Sequence, residues 1–328
     1  VNWKKIIELV LKMFIGFGSF GVIYWRLRSD FTPENSQMIK DALLNTTSFV
    51  FATISIILFP LNWLIESYKW MLITEQTEKI SLKTASKSVY AGICIGNLAP
   101  GRATEFLAKI HFFKAENKLT VTVLHFVNGM FQLSITIFCG MLAILVKSAS
   151  GEMQELGLGN VAMVLSIVVM AIFILILFNI NRFVSWMYIR FNKDNYADLK
   201  PIKWGRKLLV QLFTFSILRY VVFAFQFLLL LKIFPTTATY AQLFVGICIY
   251  FLFTTIIPMF SVIEAAVRTA IALVVFSGFG ISDSALALVA ILLWLINIVF
   301  PSIVGYMVLL KENLNFRSFS LKKNKLDQ

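Results

Sequence analysis

The amino-acid sequence predicts an all-α polytopic membrane protein with six full transmembrane helices, two re-entrant helical hairpins and an inverted-repeat architecture. Three observations lead there. Hydrophobic residues fill 59% of the 328 positions and charged residues only 14%, a balance that soluble domains do not reach. Six apolar segments are long enough to cross a hydrocarbon core of about 30 Å, which takes roughly twenty helical residues. Two further apolar stretches, 88–113 and 241–277, are broken by proline turns that carry opposite charges.

The six spans fall at 6–25, 43–65, 119–146, 160–188, 208–231 and 284–310. The first follows Val1-Asn-Trp-Lys-Lys without a small-residue cleavage site, so it reads as a retained span rather than a signal peptide. The interrupted stretches are divided by Pro100-Gly101 and by Pro258 followed by Ser261. Each half is short for a crossing, so each stretch reads as a hairpin that enters the membrane and leaves on the same side. Non-helical backbone persists at that depth only where it is buried in protein or lines a wet cavity.

Lysine and arginine in the loops set the orientation, because they accumulate on the cytoplasmic side. Arg190, Lys193, Lys200, Lys203, Arg206 and Lys207 lie between the fourth and fifth spans, and Lys311, Arg317, Lys322, Lys323 and Lys325 in the tail. Lys69, Lys79, Lys83 and Lys87 follow the second span, and Lys4 and Lys5 precede the first. All of these are expected in the cytoplasm, with both termini. The remaining loops are poor in basic residues, and the count closes only if both hairpins are re-entrant. The first hairpin then enters from the cytoplasm and the second from outside, which gives two halves of opposite orientation. Inverted repeats with broken helices meeting near the midplane are a recurring transporter plan. Residues 1–312 read as a single integral membrane domain and 313–328 as a short basic cytoplasmic tail.

The hairpin turns carry the candidate chemistry. Arg102 and Glu105 are three residues apart and Glu264 and Arg268 four apart, spacings that place each pair on one helical face. Arg219 adds a cation near the middle of the fifth span, and Lys109 and His111 follow the first turn. Ionisable groups at bilayer depth cost a few kcal/mol each, so they are expected to pair or to meet water. Two readings follow. The pairs hold the hairpins in place, or Arg102, Arg219 and Arg268 face a central cavity that receives an anionic headgroup, arginine being suited to phosphate through its bidentate fork. Glu105 and Glu264 then position the arginines, while Pro100, Gly101, Pro258 and Ser261 permit the broken helices. Lys109 joins this site or snorkels to the cytoplasmic interface. Asn97, Asn128, Gln132, Gln226 and Asn297 read foremost as interhelical hydrogen bonders, with Asn97 also a candidate for the site. Glu66 and Lys69 read as a paired or solvated couple at the cytoplasmic end of the second span.

Other chemistries find little support. Cys94, Cys139 and Cys248 lie apart in apolar segments, which predicts neither disulfides nor a structural metal. His111 and His125 are isolated, so no metal centre is expected. The phosphate-loop pattern of nucleotide-driven pumps is absent. A net charge of +13 comes without a basic patch in a soluble module, which argues against nucleic acid and for attraction to anionic lipid. No cofactor is implied.

The run Gly96-Asn97-Leu98-Ala99-Pro100-Gly101-Arg102-Ala103-Thr104-Glu105, preceded by Trp63-Leu-Ile-Glu66-Ser-Tyr-Lys69-Trp70, resembles the lysylphosphatidylglycerol synthase transmembrane region family. Ile257-Pro258-Met259-Phe260-Ser261-Val262-Ile263-Glu264 is similar to that family's second motif, a proline turn followed by a glutamate. The resemblance covers almost the whole chain. It implies a flippase-like protein of a bacterial or archaeal cytoplasmic membrane that moves or reorients lipids, with a separate lipid-modifying enzyme as a possible partner. The chain departs from the pattern where Met259, Phe260 and Ser261 replace a glycine-rich turn and where Thr104 stands in place of glycine. The tail from Lys311 to Gln328 is also too short for a synthase domain, so aminoacyl transfer does not carry over. The expectation is therefore a non-enzymatic lipid flippase or transporter that binds an anionic lipid headgroup. The alternatives are an intramembrane enzyme acting on a lipid phosphate, which lacks a nucleophile and base at a workable spacing, and a non-transporting envelope scaffold.

Overall fold

The computed structural model describes residues 19, 21–30, 32–97, 99, 102–150, 159–179, 182, 205–257 and 261–312. Among these residues the chain is helical and contains no strand. Residues 21–27 form a helical turn pair that leads to α1 (Pro33–Leu44), and α2 (Thr46–Thr74) follows directly. Next come α3 (Leu82–Gly96), the short α4 (Glu105–Lys109), α5 (Lys118–Ala149) and α6 (Gly159–Phe178). The second half holds α7 (Arg206–Leu231), α8 (Tyr240–Ile256), α9 (Ser261–Val275), α10 (Asp283–Trp294) and α11 (Phe300–Lys311).

Side-chain caps fix where several of these helices start. Thr32, Asn45, Ser81 and Ser282 each accept a hydrogen bond from a backbone N–H of the first turn, and Thr239 and Gln242 form a reciprocal capping box at α8. Such groups replace the helical acceptors that the first N–H groups lack. Between α10 and α11 the chain keeps winding as a π-helical turn, Leu295–Val299. Pro301 explains it, since proline has no N–H to give to the carbonyl four residues back.

Four helical runs are long and apolar enough to cross a membrane: Thr46–Thr74, Ala115–Ala149, Arg206–Leu231 and Asp283–Lys311. The 20 residues of α6 reach about 30 Å at 1.5 Å per residue. Leu44, Phe49, Ile57 and Val210 are 62–75% exposed, the outward greasy face of a multi-pass membrane protein. The expected first span and the 313–328 tail lie mainly outside the described residues, as does the end of the expected fourth span. The second span is longer than 43–65, because α2 continues through Glu66 and Lys69, whose charges are answered within the protein rather than by water.

Both interrupted stretches fold back on themselves. In the first, Gly92 and Gly96 of α3 face Glu105 and Lys109, and Ser88 Oγ donates to the Lys109 carbonyl at 3.4 Å. In the second, α8 and α9 lie together, with Gly246 against the Phe276 ring and the Tyr250 and Phe276 rings 6.3 Å apart. At 15 and 17 residues, α3 and α8 reach only about 22 and 26 Å, short of a crossing.

The packing repeats itself. At the centre α2 packs on α7; α3 packs on α11 much as α8 packs on α5; α2 touches α3 and α5 as α7 touches α8 and α10. Exchanging the segment α2–α5 for the segment α7–α11 carries these contacts into one another, but not the packing of α5 on α7, whose counterpart with α2 is slight. The tightest seam is α3 with α11, where a Cβ on Gly305 would stand 2.0 Å from the Tyr90 carbonyl oxygen. Gly305→Ala is therefore expected to cost about 1–3 kcal/mol, the usual penalty of overpacking, and to lower the melting temperature of the purified protein. Gly129→Ala on α5, with nothing within 4 Å, is expected to be neutral or to stabilise by up to about 1 kcal/mol.

Candidate functional site

Where α2 crosses α7, the polar residues of α2 lie on one helical face, Asn62, Glu66 and Lys69 recurring at spacings of four and three. Arg219 of α7 meets them. Its Nε donates to Asn62 Oδ1 at 2.8 Å and its Nη1 to Glu66 Oε2 at 3.0 Å. Glu66 is only 6% exposed and has further partners in Lys69 Nζ at 3.2 Å and Asn128 Nδ2 at 2.8 Å. Lys69, wholly buried, also donates to Ser216 Oγ at 3.2 Å. The Arg219 guanidinium stacks over Trp63 at 4.9 Å and Phe223 at 5.3 Å. A guanidinium stripped of water requires such partners.

The hairpins satisfy their charges differently. In the first, Glu105 pairs with Lys109 at 2.7 Å, one helical turn further on. In the second, Arg268 donates through Nε and Nη2 to Glu264 Oε1 at 2.9 and 2.8 Å, again at four residues. The expected Arg102–Glu105 pair is replaced: the stronger geometry at i,i+4 goes to Lys109. Lys109 accordingly does not snorkel to the interface but is buried, with His125 Nδ1 at 3.4 Å from its Nζ and the Trp70 ring beneath it at 4.8 Å.

Arg102 is left over. Among the described residues its guanidinium has no hydrogen-bond or ion-pair partner, and its backbone holds φ 57°, a left-handed conformation that costs a non-glycine residue about 1–2 kcal/mol. The turn is held from both sides: Arg102 N–H donates to the Ala99 carbonyl at 3.2 Å, and Thr104 Oγ1 to that of Ile95 at 2.7 Å. Asn97 Nδ2 donates to Ser302 Oγ on α11.

Arg102, Arg219 and Arg268 line one cavity of about 230 Å³ between the two halves. Its walls are the aromatic residues Trp63, Tyr220, Phe223, Phe251 and Trp294, with Gln132, Thr136, Thr254, Thr255 and Asn297 supplying polar atoms. Among the described residues no carboxylate lines it. Of the other residues expected at the site, Asn97, Glu105, Lys109 and Glu264 are not among the lining residues, though Glu264 holds the lining Arg268. Pro100, Gly101 and Pro258 lie outside the described residues, as does the side chain of Ser261. Gln226 and Asn297 bond each other at 2.7 Å, Asn128 bonds Glu66 and Asn97 bonds Ser302, so these amides are interhelical as expected, whereas Gln132 Oε1 has no described partner. The role of Glu66 as the shared counter-charge of Arg219 and Lys69 escaped sequence reasoning, although the polar stripe on α2 marked that face. No group of three or more His, Cys, Asp or Glu side chains that could hold a metal occurs among the described residues.

Cutting the central knot has a predictable cost. Glu66→Ala leaves Arg219 and Lys69 uncompensated, and a loss of about 3–5 kcal/mol is expected in denaturation of the detergent-solubilised protein. Glu66→Leu combined with Arg219→Leu is expected to lose clearly less than the sum of the single changes; strict additivity would show that the two groups are not coupled.

The model of the lysylphosphatidylglycerol synthase TM region matches residues 15–305, which take in both hairpins and all three cavity arginines. No curated protein matches the sequence. With about nine-tenths of its length inside that match, the chain belongs to the lysylphosphatidylglycerol synthase transmembrane region family.

Proposed function

We propose that this protein is a lipid transporter that receives an anionic phospholipid headgroup in the cavity between its two halves and passes it across the cytoplasmic membrane. Family membership supports a link to lipid handling. The observation that carries the reading is the gathering of three guanidiniums on one apolar-walled cavity, with one of them, Arg102, making no ion pair with a described carboxylate. Five cations (Lys69, Arg102, Lys109, Arg219, Arg268) meet three carboxylates (Glu66, Glu105, Glu264) in and around this cavity. The surplus suits a phosphate, which takes bidentate bonds from arginine.

The two helical hairpins are read as re-entrant, one from each leaflet, within a single integral membrane domain whose termini are both cytoplasmic. Their short helices and the exchangeable packing pattern support an inverted repeat of the kind that alternates access around a central site. The headgroup sits against Arg102, the acyl chains stay in lipid, and rocking of the halves exposes the cavity to one leaflet and then the other. No bond is made or broken.

Reconstitution into liposomes with fluorescent phosphatidylglycerol tests this, using quenching from outside to follow exchange between leaflets. Arg102→Gly is the informative variant, because glycine relaxes the left-handed backbone while it removes the cation. Exchange at least tenfold below the parent, with an unchanged or raised melting temperature, is expected, and Arg102→Lys should recover part of the rate. Undiminished exchange by Arg102→Gly would remove the proposed role.

A further inference from the structure

Resting on the reading of the cavity as a headgroup site, we infer that it takes lipids whose headgroup carries phosphate and hydroxyls but no ammonium, and that it rejects aminoacylated lipids. The argument is one of counter-charge. A headgroup bearing an amine brings a positive charge that needs a counter-charge once it leaves water. Among the described residues the cavity lining contains three guanidiniums and no carboxylate. Glu66 and Glu264 are each engaged by the very arginine that stands between them and the cavity, and Glu105 is held by Lys109.

Four of the five lining aromatic rings are already engaged, Trp294 being the exception. Arg219 already lies over Trp63 and Phe223, and Phe251 packs edge to face with Tyr220 at 5.7 Å and with Phe223 at 6.4 Å. The groups that remain suit hydroxyls. Thr254 and Thr136 donate their protons to the carbonyls of Tyr250 and Gln132, which leaves oxygen lone pairs as acceptors. Gln132 Oε1 and Asn297 Oδ1 are buried acceptors without a described donor, and Trp294 Nε1 is a buried donor without a described acceptor. A glycerol-like headgroup brings both kinds of partner, whereas a lysyl ester brings two ammonium groups next to Arg102. The substrate class is therefore a net-negative phosphodiester with a neutral, hydroxylated headgroup, distinct from the aminoacylated lipid that gives the family its name.

The test is a competition read in two ways. Purified protein is offered equimolar phosphatidylglycerol and lysylphosphatidylglycerol in detergent, and the lipid retained is measured by native mass spectrometry. The same two lipids, fluorescently labelled, are then compared for exchange in phosphatidylcholine liposomes. Retention is expected to favour phosphatidylglycerol at least tenfold, about 1.4 kcal/mol, and Arg102→Gln should bring the ratio towards unity. Equal retention, or preference for the lysyl lipid by the parent protein, overturns the proposal whatever the exchange assay reads. Selective retention without exchange of either lipid upholds the selectivity and removes the transport function instead.

Discussion

The cost of holding charge away from water governs this molecule, and the Arg219–Glu66 pair at the α2–α7 crossing is where it acts most strongly. A buried guanidinium without an acceptor costs several kcal/mol, so Arg219 draws Asn62 and Glu66 onto itself, and Glu66 in turn holds Lys69 and Asn128. One carboxylate thereby ties α2, α5 and α7 together. Lys109 and Arg268 are treated differently, since each finds its carboxylate one turn away on its own short helix. Those pairs lie within their hairpins. The first hairpin is nevertheless tied to its neighbours, by Lys87 of α3 to Glu312 after α11 at 2.6 Å and by Lys109 to His125 of α5 and the Trp70 ring of α2.

What seats the hairpins is close packing. α3 of the first hairpin runs against α11 with Gly305 at the backbone of Tyr90, and α8 of the second runs against α5 with Gly140 against Leu252. Each hairpin is thus docked on a spanning helix of the opposite half. Small residues let helix backbones approach closely, and in lipid, where there is no hydrophobic drive between helices, such dispersion contacts carry much of the association. The α3–α11 seam adds directional bonds at its two ends, from Lys87 to Glu312 at 2.6 Å and from Asn97 Nδ2 to Ser302 Oγ.

Much of this was legible in the sequence because hydrocarbon restricts the options. Length and hydropathy located the second, third, fifth and sixth spans. The charged proline motifs marked where α3 and α8 end, although proline alone is no sufficient sign, since Pro60 lies inside α2. The three arginines were legible for the same reason: a charge inside an apolar run needs an explanation. Pairing was harder. Arg102 and Lys109 both lie within one turn of Glu105, and only three-dimensional geometry decides between i−3 and i+4. Glu66 was harder still, for its position at the end of an apolar segment looked like the water boundary until α2 proved to continue past it. The π turn at Leu295–Val299 follows from Pro301 but could not be distinguished beforehand from a simple kink.

The two hairpins match in all but one respect that bears on the proposed cargo. Glu105 and Lys109 in the first correspond in spacing to Glu264 and Arg268 in the second, and each pair is close to neutral within itself. Three residues before the glutamate stands Arg102 in the first hairpin and Ser261 in the second. The unpaired cation therefore belongs to one half only, and it sits on a strained φ of 57° that a glycine would hold without cost. Strain of about 1–3 kcal/mol survives where its surroundings over-determine it, and here the bonds from Ala99, Ile95 and Ser302 fix the turn on both sides. An anion held by Arg102 would travel with the first hairpin rather than be shared between the halves. In the proposed function, that asymmetry would separate the part that holds a headgroup from the part against which it moves.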